Sequence, residues 1–451
     1  MGSLGLIVLL VLLVLLGQPL FVIMGSVTAY CFLFLGEGDL TGIIEDIYYG
    51  ADKEILLAIP LFILAGNLMT YGSIARRLID MGRAYTAPIP SGLAIAGVFA
   101  CAIFAAISGS SPVTLIAIGG IMYPALQKAG YDKQFSMGLL TSGGTLGIII
   151  PPSIPMIIYA IMVGVSVTDL FKAGIGPGIL LVFMLMGYSM YKGWNMPRGK
   201  WVLKEIGEST LKGFLALMMP VIILGGIYSG IFTATESAAI AVMYALFVEL
   251  VIHRELKVTK IPQILVESAE MLGSLLLILL LATSLNKFLT IEQVPQSMVE
   301  YMSTLITSPI AFIIGVNILL LIVGFFMDIM SAILVLAPLL APMAASYGIN
   351  PIHFGIIMIV NLEIGYITPP VGINLFVASG IFKEALGDVI KSVVPIIGIF
   401  LVALMLISFI PQIALFTLPN ETTEMKAPDV PGTNMEEEEE IPPGGSFLDK
   451  Y

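Results

Sequence analysis

Charged residues are scarce in this sequence, and histidine and cysteine are almost absent. Only 11% of its 451 residues are charged, against roughly 25% in a soluble globular domain. The two histidines, His253 and His353, lie far apart, and both cysteines, Cys31 and Cys101, lie inside apolar runs. The sequence therefore predicts no disulfide framework, no transition-metal site and no cofactor.

Apolar residues are correspondingly abundant. They make up 58% of the chain, and the mean hydropathy of +1.02 is too high for a water-soluble fold of this length. Apolar runs of helical length recur from Leu4 to Leu418, and a bilayer span needs about 20 such residues. We expect an all-α polytopic membrane protein embedded in the lipid bilayer. The net charge of −11 gives no indication of nucleic-acid binding.

The first apolar run, 4–35, has neither a basic n-region nor a small-residue cleavage site. It is therefore predicted to be membrane helix and not a removed signal. Gly17, Gln18 and Pro19 interrupt it, so it forms either one tilted helix or two short ones.

Basic residues concentrate in one set of loops. That set holds 15 of the 20 lysines and arginines, among them Arg76, Arg77 and Arg83, and short basic loops stay in the cytoplasm. The loops on the other side carry acids, such as Glu45 and Asp52. We predict the inner (cytoplasmic) membrane of a bacterium or archaeon. The polar, acidic segment 420–451 is predicted to be a disordered tail on the outer side.

Glycine and proline positions repeat when the sequence is shifted by 218 residues. Pro124 then falls on Pro342 and Gly147 on Gly365. The first copy has basic flanks and the second acidic or neutral flanks, which gives them opposite orientations, as in secondary transporters with a midplane site. The predicted architecture has two inverted repeats, each containing a re-entrant helical hairpin and a discontinuous helix: repeat 1–212, with a hairpin at about 90–127 and a broken helix at about 136–163, and repeat 213–419, with a hairpin at about 309–345 and a broken helix at about 352–380.

Each predicted hairpin turns at a polar tip. In the first, with arms predicted at 94–107 and 113–126, Ser111 is expected to cap a helix whose first residue is Pro112. The free carbonyls and hydroxyls there suit Na⁺, and the helix N-terminus suits a carboxylate. In the second, Asp328 is either an ion-site residue or a structural cap, since an acid at membrane depth is expensive.

Two helices are predicted to break beside these tips, at the proline pairs 151–152 and 369–370. Such breaks free carbonyls that protein, water or an ion must satisfy. Glu363 is either a coupling group or one half of an interface ion pair. The candidate substrate-binding residues are small and polar: Ser108, Ser110, Ser111, Thr145 and Asn374. The candidate Na⁺ ligands offer side-chain or carbonyl oxygens: Ser108, Ser110, Gly143, Asp328, Asn361, Gly365 and Thr368.

Other polar motifs are predicted to be structural. The stretch 233–236 is a capping box that opens a helix, and 166–169 has the same pattern. Asn67 is expected to bond between two helices.

Four stretches resemble the large permease subunit of TRAP transporters, the tripartite ATP-independent periplasmic carriers: 61–68, 108–111, 230–239 and 368–374. The resemblance implies an elevator mechanism with a scaffold and a moving transport domain, Na⁺ coupling, and no enzymatic activity. It also implies a small four-helix membrane subunit, expected as a separate chain, and a periplasmic substrate-binding protein. Substrates of the family are small organic anions, such as C4-dicarboxylates, sialic acid or similar organic acids.

Three other functions compete with this interpretation. A stand-alone Na⁺/carboxylate symporter would share hairpins and inverted repeats but would need no binding protein. An intramembrane serine protease would need a histidine base in the neighbouring helices, and the sequence has none there. An ion channel would not need two broken helices facing two hairpins.

Overall fold

The computed structural model describes residues 2–36 and 40–418, and every regular element in those ranges is helical. Nine helices there are long and apolar enough to cross a membrane. The predicted all-α class is therefore confirmed. The predicted tail, 420–451, lies outside the described residues.

Within the described ranges, the first half of the chain forms twelve α-helices and the second half forms ten. The helices of the first half are α1 (Gly2–Leu15), α2 (Leu20–Tyr30), α3 (Thr41–Ala51), α4 (Ala58–Tyr71), α5 (Ile74–Thr86), α6 (Gly92–Ser108), α7 (Ser111–Thr114), α8 (Gly120–Lys128), α9 (Lys133–Gly144), α10 (Leu146–Ile149), α11 (Ile154–Val163) and α12 (Val167–Lys192). Those of the second half are α13 (Leu203–Tyr228), α14 (Ala234–Phe247), α15 (Ile261–Ile291), α16 (Val294–Leu305), α17 (Pro309–Phe326), α18 (Ile329–Ser346), α19 (Pro351–Tyr366), α20 (Ile373–Phe382), α21 (Leu386–Phe409) and α22 (Gln412–Leu415).

Helix caps set several of these boundaries. Thr233 and Glu236 form the predicted capping box at the start of α14, and the Ser166 hydroxyl caps α12 by accepting from the Asp169 amide. Each cap satisfies amide groups that would otherwise be unpaired in the first turn. The capping box at Thr233 is confirmed, and at Ser166 the N-cap half of the same pattern is confirmed.

The N-terminal apolar run forms two helices, because the chain turns between α1 and α2 at Gly17, whose φ is +64°, and Pro19. This decides the alternative that the sequence left open. Further along, the Asn67 amide of α4 donates to the Ser268 hydroxyl of α15 at 2.9 Å, which confirms the predicted interhelical bond.

The helices of the two halves correspond at the same 218-residue shift. The segment from α7 through α8 (111–128) falls on α18 (329–346), α6 falls on α17 within one residue, and α9 and α10 together fall on α19. The left-handed Gly130 and Gly348 (φ +84° and +78°) also coincide. The same order of helix boundaries therefore occurs twice along the described part of the chain.

The arms of the first hairpin are longer than predicted, whereas those of the second match their predicted lengths to within one residue. The first arm is the 17-residue α6 and not the 14-residue segment 94–107, and the second hairpin has arms of 18 residues each. An 18-residue helix is about 27 Å long. The difference arises because Gly92, Leu93 and Ser108 continue the helical hydrogen bonding of α6.

Candidate functional site

Tip 1 (residues 108–111) joins α6 to α7. The helix α6 ends at Ser108 because Gly109 takes the left-handed conformation, with φ +59°, where glycine carries no side-chain penalty. The predicted cap is wrong by one residue: α7 begins at Ser111, its N-cap is the extended Ser110, and no side chain makes the cap bond. The Ser111 hydroxyl is engaged elsewhere, as an acceptor from Asn374.

The hydroxyls inside tip 1 bond to one another. Ser108 Oγ lies 2.7 Å from Thr114 Oγ1, and Thr114 Oγ1 donates to the Ser110 carbonyl at 2.9 Å. A Cβ added at Gly66 of α4 would lie 3.1 Å from the Ser108 Cα. Tip 1 is therefore a compact, internally bonded turn packed closely against α4.

Tip 1 also packs on the first helix break, between α10 and α11. A Cβ added at Gly147 would lie 2.4 Å from the Ser110 carbonyl oxygen, and one at Gly109 would lie 2.9 Å from the Pro152 carbonyl oxygen. Because real Cβ atoms do not approach so closely, only glycine allows this contact. Nearby, Thr145 Oγ1 donates to the Ser142 carbonyl at 2.6 Å, and Gly143 faces the Cys101 side chain.

The second break, between α19 and α20, reaches tip 1 through Asn374. The Asn374 amide donates to the Ser111 hydroxyl, and both side chains are fully buried. Asn374 Oδ1 has no hydrogen-bond partner among the described residues. Two predicted substrate-binding residues, 263 positions apart in sequence, therefore meet directly.

Glu363, on the α19 side of the second break, is fully buried beside this pair. The Ser111 hydroxyl lies close enough to interact with the Glu363 carboxyl as a hydrogen-bond donor, although neither carboxyl oxygen reaches full hydrogen-bond geometry with any described residue. No ion pair involves Glu363 in the described part of the chain. The described residues place no basic side chain in an ion pair with the carboxyl, and they give the interface-ion-pair alternative no support. We call Ser111, Glu363 and Asn374 the tip cluster.

Tip 2 (residues 327 and 328) joins α17 to α18. Asp328 caps α18, with Oδ2 accepting from the Ser331 amide at 3.0 Å and Oδ1 accepting from the Ser331 hydroxyl, so the predicted cap is confirmed. Asp328 and Glu363 both act electrostatically on Tyr366, at the end of α19. Asp328 and Glu363 thus both lie near Tyr366.

The remaining predicted Na⁺ ligands belong to α19 and its end. Asn361 donates to the Asn317 carbonyl at 3.0 Å and to Asn317 Oδ1 at 2.7 Å, which leaves Asn361 Oδ1 buried and unpartnered. Thr368 Oγ1 donates to the Ile364 carbonyl at 2.6 Å. A Cβ added at Gly365 would lie 2.6 Å from the Gly324 Cα of α17, so Gly365 has a packing role.

Sequence reasoning missed Asn317 and Thr114. Asn317 is the sole strongly polar residue of α17, and that isolation in an apolar helix was the available signal. Thr114 offered no such signal, because a threonine near a helix start is common. The hydrogen bonds described above do not join either residue to Ser111, Glu363 or Asn374.

A polar cavity lies elsewhere in the described part of the chain. Its volume is about 580 Å³, and it lies among the predicted cytoplasmic loops, with Asp80, Arg83, Lys200 and Glu205 among its lining residues. Ser111, Glu363 and Asn374 do not line it, and each is 0% exposed. The tip cluster is closed to water in this conformation.

Comparison with known proteins gives consistent results. The family described as "Tripartite ATP-independent periplasmic transporter, DctM component" matches residues 6–413. The C4-dicarboxylate TRAP transporter large permease protein DctM of Pseudomonas aeruginosa is 43% identical over 400 residues, covering 88% of this chain and 93% of that protein. The isethionate TRAP transporter permease protein DctMQ of Oleidesulfovibrio alaskensis is 38% identical over 408 residues, covering 89% of this chain and 64% of that longer protein.

A solved structure shares the fold. The YdaH transporter of Alcanivorax borkumensis aligns with a TM-score of 0.60 over 84% of this chain and 89% of that one, at 12% identity. Homologues of this chain are transporter permeases and not enzymes. The chain belongs to the TRAP transporter family as a large permease, a multi-pass membrane component of a transporter that depends on a periplasmic binding protein.

Proposed function

We propose that this chain imports small organic anions, driven by a Na⁺ gradient, and that it binds them at the tip cluster. The observation that carries the proposal is the buried bond between Asn374 and Ser111. It joins a hairpin tip of one half of the chain to a broken helix of the other. A midplane site of this kind is typical of secondary transporters.

The substrate class follows from the donors at the site and from the names of the relatives. The Ser111 hydroxyl and the Asn374 amide can both donate to an anion, and donors in a dry site bind charge strongly. C4-dicarboxylate and isethionate, which name two relatives, are both small organic anions. We propose a C4-dicarboxylate, sialic acid or a similar organic acid as the substrate.

Amide and carboxylate oxygen atoms that could bind a cation support Na⁺ as the coupling ion. Asn361 Oδ1 and Asn374 Oδ1 are buried without partners, and the Asp328 carboxylate lies at tip 2 beside the end of α19. Hard cations bind to such carbonyl and carboxylate oxygens. Thr368 and the carbonyls of Gly143 and Gly365 stay proposed ligands, as do the tip 1 serines 108 and 110.

The movement that we propose is an elevator. The two hairpins and two broken helices would travel together against the remaining helices, which form the scaffold. The close contacts Gly324–Gly365 and Ser110–Gly147 would keep each hairpin on its broken helix during the movement. We place the protein in the inner membrane, with the small four-helix subunit as a separate chain.

The test is uptake into proteoliposomes. Permease, small subunit and one candidate binding protein at a time are supplied with a labelled organic acid and an inward Na⁺ gradient. We expect uptake only when both Na⁺ and the correct binding protein are present. Equal uptake in Na⁺-free medium would contradict Na⁺ coupling, and equal uptake without binding protein would indicate the stand-alone symporter.

A further inference from the structure

The cavity of about 580 Å³ opens among the loops that are predicted to be cytoplasmic. Its wall comes from the end of α5, the start of α6, the linker 193–202 between α12 and α13, and the first turns of α13. The turn 129–132 between α8 and α9 contributes as well. None of the residues proposed for the anion or Na⁺ sites lines this cavity, so its chemistry is separate from that of the tip cluster.

The cavity presents charges of both signs. Two bases, Arg83 and Lys200, and two acids, Asp80 and Glu205, line it, and all four residues are exposed. None of the four makes an ion pair with another residue in the part of the chain that the structure describes. Both the bases and the acids are therefore available to a ligand, and hydrogen bonds to ionised groups are stronger than those between neutral ones.

The linker is fixed against the turn between α5 and α6. The Gly199 amide donates to the Ala87 carbonyl at 2.9 Å, and Trp201 Nε1 donates to the Tyr85 carbonyl at 2.9 Å. Lys200 lies between these two anchored residues, so the backbone that carries it is held in place. A side chain on a fixed backbone loses less conformational freedom on binding a ligand than one on a free loop.

Exposed apolar side chains place the linker and the start of α13 at the membrane–water interface. Trp194, Trp201 and Leu203 are each more than half exposed, and the two helices that the linker joins are both long and apolar enough to cross a membrane. Tryptophan concentrates at this interface because its ring is apolar and its N–H group is polar. Phospholipid headgroups therefore meet the cavity, and acyl chains meet the exposed apolar side chains beside it.

We propose that this cavity binds a phospholipid whose zwitterionic headgroup carries a primary ammonium, as in phosphatidylethanolamine. Arg83 and Lys200 donate to the phosphate oxygens, and Asp80 and Glu205 accept from the ammonium. The two acids repel a headgroup that is only anionic, and the trimethylated ammonium of phosphatidylcholine has no N–H group to donate. Basic pockets on the cytoplasmic side of membrane proteins bind lipid headgroups, and the acids in this cavity add selectivity for the ammonium.

Tryptophan fluorescence tests this proposal, because the two tryptophans of the chain, Trp194 and Trp201, both belong to the linker. The purified full-length permease is reconstituted in phosphatidylcholine, and a phospholipid with brominated acyl chains, which quench nearby indole rings, replaces the host lipid stepwise. We expect brominated phosphatidylethanolamine to associate about fivefold or more tightly than brominated phosphatidylcholine or phosphatidylglycerol.

Two variants test the phosphate and ammonium contacts separately. Lys200→Gln and Glu205→Gln each remove one charged contact and should lower the preference for phosphatidylethanolamine to about twofold or less. Lys204→Gln and Glu270→Gln are the matched controls, since both residues are exposed and neither lines the cavity. The controls should keep the wild-type preference.

A further sample contains glycerophosphoethanolamine, which is the same headgroup without acyl chains. At the concentration of the brominated lipid it should leave the quenching unchanged, because it lacks the contact of the chains with the exposed apolar side chains. Four results would each overturn the proposal: equal quenching by phosphatidylethanolamine and phosphatidylcholine, stronger quenching by phosphatidylglycerol, displacement by the soluble headgroup, and an unchanged preference in both Lys200→Gln and Glu205→Gln.

Discussion

The amide of Asn374 donates to the hydroxyl of Ser111, a residue 263 positions earlier in the chain. This single bond connects the hairpin tip of the first half to the broken helix of the second, in a setting from which water is excluded. Burial makes the bond important, because a buried donor left unpaired costs about 1–3 kcal/mol. The proposed substrate site therefore depends on both halves of the chain at once.

Asp328 caps α18, and we propose that its negative charge also binds Na⁺. A single substitution separates these two roles. Asp328→Asn keeps an oxygen that can accept from the Ser331 amide but removes the negative charge. If the charge binds Na⁺, the Na⁺ concentration for half-maximal uptake should rise about tenfold or more, equivalent to about 1.4 kcal/mol. Uptake measured against Na⁺ concentration in proteoliposomes checks this.

A second variant isolates the cap. Asp328→Ala removes both functions, and loss of the cap alone should lower the stability by about 1 kcal/mol, seen as a lower unfolding temperature in detergent. An unchanged Na⁺ dependence in Asp328→Asn, together with the stability loss in Asp328→Ala, would show that Asp328 is only a cap.

The packing of α17 against α19 depends on Gly365. Gly365→Ala would place a methyl group 2.6 Å from the Gly324 Cα, and the backbones would have to separate. We expect a loss of about 1–3 kcal/mol of stability, measured by thermal unfolding of the purified protein.

Gly315→Ala is the matched control for this prediction. Gly315 lies on α17, the helix against which Gly365 packs, and an added Cβ would meet nothing within 4 Å. This variant should unfold at or slightly above the wild-type temperature. Equal losses in the two variants would mean that the contact between α17 and α19 is not what makes Gly365 necessary.

Local chemistry accounts for what the sequence could predict about these positions. The cap at Asp328, the capping box at Thr233 and the breaks at the proline pairs follow from residues within a few positions of one another. The repeat follows from glycine and proline, which constrain the backbone directly.

Contacts between distant segments could not be predicted in the same way. Nothing near Ser111 indicates that its hydroxyl accepts from Asn374, and that contact is the reason the predicted Ser111 cap is wrong. Nothing near Asn361 indicates that its amide is held by Asn317. Such pairs depend on how the helices pack, and a single sequence records only that each residue is polar in an apolar setting.

Outside the membrane-spanning helices, Glu384 forms a pH-dependent contact with Lys133 and Tyr123. Its carboxylate accepts from the Lys133 ammonium at 2.6 Å and from the Tyr123 hydroxyl at 2.9 Å. The Lys133 contact, and then the Tyr123 hydrogen bond, lower the pKa of Glu384 below its ordinary value of 4.5. Because folding lowers the pKa of Glu384, the contribution of this carboxylate to the free energy of unfolding is present above pH 4.5. That contribution is lost as the pH falls through the lowered pKa of the folded state.

We therefore expect the unfolding temperature of the wild type to fall more steeply below pH 4.5 than that of Glu384→Gln. Glu205→Gln, a substitution of an exposed carboxyl, should follow the wild-type curve. Parallel curves for wild type and Glu384→Gln would show that this carboxylate contributes nothing to the stability of the fold.

A double-mutant cycle on Ser111 and Asn374 tests the central claim most directly. The measured quantity is the substrate concentration for half-maximal Na⁺-driven uptake, with Ser189→Ala as the control for losing a buried hydroxyl bonded only within its own helix. If the pair forms one substrate site, Ser111→Ala and Asn374→Ala should each raise that concentration about tenfold, and the double variant should raise it little further. Two results would contradict a shared substrate site. One is a double variant whose increase in this concentration equals the product of the two single increases, and the other is single variants that behave like Ser189→Ala.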